Sequence, residues 1–102
     1  MILTNGLKAS TAEKEVSRDL INGEFNAKEA AEIINHLFRT KINFHGRKNF
    51  SSQIRFGATN EDSLERIKEL KHSQNEIAEL VELAKVNHFN LRISSTISIE
   101  LV

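Results

Sequence analysis

The chain has 102 residues, no net formal charge, 39% hydrophobic and 27% charged residues, a size and balance that fit one folded α+β domain over residues 1–102 and exclude a disordered chain. It contains no cysteine, which removes disulfides, thiolate nucleophiles and cysteine metal cages. Its aromatic residues are all Phe, so the Trp and Tyr anchors common at tight protein interfaces are missing.

At the N-terminus, Met1 to Lys8 shows neither a basic leader nor the apolar run of a signal peptide, and no stretch approaches the roughly 20 apolar residues that span a bilayer. The expected location is cytoplasmic. Ile2-Leu3 reads as a short strand before an Asn5-Gly6 turn.

From Ser10 two patterns compete. Ser10 with Glu13 forms a capping box, Ala12 to Glu15 favour helix, Val16 and Leu20 lie one turn apart, and Gly23 supplies a stop. Against this, Val16, Arg18 and Leu20 alternate as in a strand. The helix is the favoured expectation, followed by a turn over Asn22 to Phe25.

Asn26 and Glu29 form an Asn-headed capping box, with Phe25 placed to act as a hydrophobic staple toward Ala30. The helix that follows carries Ala30, Ile33, Ile34, Leu37 and Phe38 on one side. It is expected to reach about His45 and, through Gly46, to extend toward Gln53. Gly57 to Asn60 breaks the chain and caps the next helix, where Glu61 and Asp62 complement the helix dipole.

That second helix, Glu61 to about Val86, repeats Ile67, Leu70, Gln74, Ile77, Val81 and Ala84 at three- and four-residue steps, with Leu64 widening the stripe, and would be about 39 Å long. It needs support, supplied most simply by the preceding helix as an antiparallel hairpin. After Asn87 to Asn90, Leu91, Ile93, Ser95, Ile97, Ile99 and Leu101 alternate with polar residues, predicting a long C-terminal strand with one buried face. The expected fold is therefore α+β, an antiparallel helical hairpin packed with a small sheet containing that strand.

A strand of this length needs partners, and pairing with the same strand of a second copy would satisfy an edge. A homodimer is expected, with Leu91, Ile93, Ile97, Ile99 and Leu101 as the self-association row.

Nothing marks an enzyme, and the sequence indicates no catalytic residue, cofactor or metal site. The four histidines, His36, His45, His72 and His88, show no HExxH spacing. Ser51-Ser52 lacks a nucleophile elbow, and there is no P-loop or dinucleotide fingerprint. A small enzyme with a site at a subunit interface, using Arg55, His45 and a carboxylate, is the least supported alternative.

The strongest chemical signal is the interval 39–56, where Arg39, Lys41, Arg47, Lys48 and Arg55 interleave with Phe44, Phe50 and Phe56. This is a candidate polar partner surface, and nucleic acid is one partner it suggests. The simpler alternative puts the Phe rings in the core and the cations opposite the acidic second helix. A membrane partner is not expected, because the hydrophobes of 34–56 have a use within the hairpin. The reading of the whole is a noncatalytic protein-interaction or small regulatory protein that self-associates.

Overall fold

The computed structural model of the protein describes residues 14–102. The element order is β1 (Glu15–Phe25), α1 (Ala27–Phe56), α2 (Glu61–Asn87) and β2 (Leu91–Glu100). The expected α+β fold, with a helical hairpin and a small sheet holding a long C-terminal strand, is what is found. The residues divide into two compact units, a two-stranded ribbon and a helical hairpin of Phe25–Leu91.

The hairpin starts at the predicted capping box. The Asn26 side chain accepts from the Glu29 amide at 2.8 Å, and the Asn26 amide donates to Glu29 Oε1 at 3.1 Å. The helix then runs unbroken through Gly46 to Phe56, past the expected end near His45 or Gln53, because Ile42, His45, Asn49 and Ser52 keep its half-buried side in phase. It stops where Gly57 turns left-handed at φ 67° and donates to the Gln53 carbonyl.

The connection is fastened from both sides. Asn60 caps α2 by accepting from the Ser63 amide at 2.9 Å, while its own amide donates to Asn49 Oδ1 at 2.7 Å. Ser52 Oγ donates to the Ala58 carbonyl. Farther along, Gln74 donates to Asn35, so the helices run antiparallel with α2 folded back along α1. The buried residues of the hairpin are mostly small, Ala30, Ser63 and Ala84 with Leu70. Two helices alone cannot cover every apolar side chain, and Leu80, Leu83 and Val86 stay exposed.

The ribbon corrects the sequence reading. Residues 15–25 form a strand, not the favoured helix, and Asn22-Gly23 lies inside it instead of making a turn. Local helix propensity is worth tenths of a kcal/mol per residue, whereas β2 presents a row of backbone groups and apolar side chains that a paired strand satisfies. Ile2-Leu3, the Asn5-Gly6 turn and the Ser10–Glu13 capping box lie outside the described residues.

β1 and β2 pair antiparallel. Ser17 meets Ser98, Thr96 Oγ1 donates to Asp19 and Arg92 donates to Glu24, while the Leu101 amide donates to the Lys14 carbonyl. Between the Asp19–Thr96 and Glu24–Arg92 contacts β1 advances five residues and β2 only four. The extra residue is a bulge on β1. Ser17, Asp19 and Glu24 share the polar face of the ribbon with the even-numbered residues of β2, so Val16, Arg18 and Leu20, then Ile21 and Gly23, fall on the other face. The phase slips between Leu20 and Ile21, and the slip keeps both on the apolar side.

Candidate interaction surfaces

The apolar face of the ribbon is the first candidate. Ile93 is half-buried, and Ile97, Ile99 and Leu101 become progressively more exposed, at 44%, 63% and 65%. On β1, Val16 and Leu20 are half exposed. Of the self-association row, Leu91 and Ile93 are thus the covered end and Ile97, Ile99 and Leu101 the open end. A two-stranded ribbon is at best marginal in water without a third strand or a covering layer. Among the described residues neither outer strand edge has a backbone partner.

The second candidate is the basic interval of α1. All five cations are exposed, but the helix does not bring them together. Lys41, Lys48 and Arg55 are seven residues apart and form one row, drifting by only about 20° per step. Arg39 lies about 160° around the helix from Lys41, and Arg47 about 100° from Lys48. Phe44 belongs to the first row. Lys41 Nζ and Lys48 Nζ stand 4.9 and 5.9 Å from its ring centroid, cation–π contacts that both amines make with one ring.

The Phe rings do not enter the core, as the simpler alternative had them doing. Phe44, Phe50 and Phe56 are exposed by 43%, 64% and 76%. Spaced six residues apart, they leave the helix about 120° from one another, so no common stacking platform results. Nor do the cations of α1 pair with the acids of α2. The ion pairs among the described residues are Arg66–Glu69, His72–Glu76 and Arg92–Glu24, and none joins the two helices.

His45 lies beside this row. Its ring packs edge-on to Phe44, and both ring nitrogens are shut off from solvent with no hydrogen-bond partner among the described residues. Loss of hydration first, then the positive charges of Lys41, Lys48 and Arg66, hold its pKa below the ordinary histidine value.

Little here resembles a catalytic centre. A groove of about 680 Å³ runs along the hairpin past Glu32, His36, Arg39 and Glu82, but no ion pair joins these groups. Among the described residues no three His, Asp or Glu side chains converge to hold a metal ion, and no helix is long and apolar enough to cross a membrane. His88 caps the C-terminus of α2 with φ 60° and ψ 38°.

Comparison with protein-family models, curated proteins and solved structures gave no match. In β1 the Val16-Arg18-Leu20 alternation goes on, one residue out of step, through Ile21, Gly23 and Phe25, a continuation that the sequence reading did not use. This is the pattern a bulged strand leaves in a sequence.

Proposed function

We propose that the protein is a noncatalytic interaction protein, a small adaptor or regulatory component, that works as a homodimer through its ribbon. The observation that carries this reading is a two-stranded ribbon whose outer edges have no backbone partner among the described residues and whose apolar row opens to solvent at Ile97, Ile99 and Leu101. Such a ribbon gains most from another strand, and a second copy brings a strand of the same length and pattern. A cysteine-free chain suits a cytoplasmic setting.

Sedimentation velocity from micromolar to high-micromolar concentration tests the proposal. A dimer that grows in with concentration is expected, and Ile99→Lys should shift the transition upward. A strictly monomeric species over the whole range overturns it.

Nucleic-acid binding through residues 39–56 is the weaker reading, because Phe44, Phe50 and Phe56 diverge around α1 and stacking needs them in one groove. Salt-sensitive binding of generic DNA or RNA, weakened by Lys41→Ala and Lys48→Ala, would reverse that ranking.

A further inference from the structure

We infer that the partner of β2 is the β2 strand of a second copy, paired antiparallel about a two-fold axis at Thr96, so that Arg92 of each copy faces Glu100 of the other. This rests on the homodimer reading and specifies its interface.

Backbone direction limits the choice first. The Leu101 amide donates to Lys14 of β1, so the odd-numbered residues of β2 turn their N–H and C=O groups toward β1. The even-numbered ones, Arg92, Ser94, Thr96, Ser98 and Glu100, turn theirs to the outer edge, which has no backbone partner among the described residues, as alternation along a strand requires. Two copies of that edge can bond only even residue to even residue.

Charge then selects among the registers. With the axis at Thr96, Ser94 bonds to the partner's Ser98 and Arg92 to the partner's Glu100, which gives one opposite-charge pair at each end of the interface. Centring on Ser95 instead sets Arg92 against the partner's Ser98 and Glu100 against the partner's Asn90. Centring on Ile97 sets Glu100 against the partner's Ser94 and carries Arg92 to the strand's end. Only the Thr96 axis matches every charge on the edge, and opposite-charge cross-strand pairs stabilise while like charges repel.

The same register orders the apolar face. It lays the exposed Ile99 beside the partner's half-buried Ile93, and the exposed Leu101 beside the partner's half-buried Leu91. Each open end therefore joins a covered one. The edge of β1 is a poorer candidate, since a bulge blunts it and its polar row carries Glu15, Asp19 and Glu24 with no basic residue in that row to oppose them.

Because the chain has no cysteine, single substitutions report the register by cross-linking. Directly opposed Thr96 Cα atoms would be about 5.5 Å apart, within disulfide range. Two copies of position 94, or of position 98, would be offset by roughly 13 Å along the strands.

Under mild oxidation Thr96→Cys should form a disulfide dimer at least about tenfold faster than Ser94→Cys or Ser98→Cys alone, and a mixture of the last two should cross-link as a heterodimer. Glu100→Arg, which leaves the Arg92–Glu24 pair within each chain intact, should weaken dimerisation about tenfold over the two symmetric sites. A dimer in sedimentation with no preference for Thr96→Cys overturns this register and leaves self-association standing. A monomer at all concentrations overturns both.

Discussion

Arg92 on β2 reaches Glu24 on β1 at 2.6 Å, on the same face of the ribbon as the Asp19–Thr96 contact yet one residue out of step with it. The pair marks the register beyond the bulge and does little to hold it, because both side chains are largely exposed, at 74% and 58%. Exposed pairs contribute at most about 1 kcal/mol. Glu24→Gln should therefore lower stability by no more than about 0.5 kcal/mol in urea unfolding. Deleting Leu20 removes the extra residue and leaves Asp19 opposite Thr96 and Ser17 opposite Ser98, so Val16 and Arg18 should keep their faces, whereas deleting Ser17 puts Val16 on the wrong face and should cost several times more.

The N-terminus of α1 depends on a reciprocal cap. Asn26→Ala removes an acceptor for the Glu29 amide and leaves the Glu29 side chain without its fixed partner geometry. A loss of about 1 kcal/mol is expected, read as a lower urea midpoint with an unchanged slope.

Three positions separate backbone strain from packing. A Cβ added at Gly46 or Gly57 meets no atom within 4 Å, so substitution there tests conformation alone. Gly46→Ala sits in a helix interior and should stabilise by about 1 kcal/mol. Gly57→Ala must hold a left-handed residue at φ 67° and should destabilise by about 1 kcal/mol or more. His88 already pays that penalty at φ 60°, and His88→Gly should recover about 0.5–1 kcal/mol.

His45 makes stability fall on the acid side. Its folded pKa is depressed, by lost hydration first and then by Lys41, Lys48 and Arg66. The unfolded chain therefore takes up a proton at a higher pH than the folded one does. Its contribution is full above the ordinary histidine value of about 6.5 and is lost as pH drops through the window between that value and the lower folded one. His45→Leu should flatten thermal stability across that window, and an unchanged slope would assign the acid sensitivity elsewhere.

Local chemistry made much of the fold legible. The Asn26–Glu29 box, the Gly57–Asn60 break and the alternation from Leu91 to Leu101 each depend on neighbours within a turn or on a fixed period, and each is found where the residues place it. β1 was not legible in the same way. Val16 and Leu20 satisfy a helix and a strand equally, and the deciding term is a partner strand whose contacts lie 68 to 81 residues away by chain number. The basic interval was legible as charge but not as direction. Whether Lys48 and Arg55 join Lys41 in one row depends on the helix continuing through Gly46, since the angle around it sorts the cations into separate rows.

The most direct measurement is amide hydrogen exchange along β2 as the protein concentration is raised, followed residue by residue. Ile93, Ile97 and Ile99 should be protected at every concentration, because their amides face β1. Ser94, Thr96 and Ser98 should exchange freely in dilute solution and gain protection together as the second copy binds. Fast exchange at Ser94, Thr96 and Ser98 at all concentrations would contradict the paired edge and the dimer built on it.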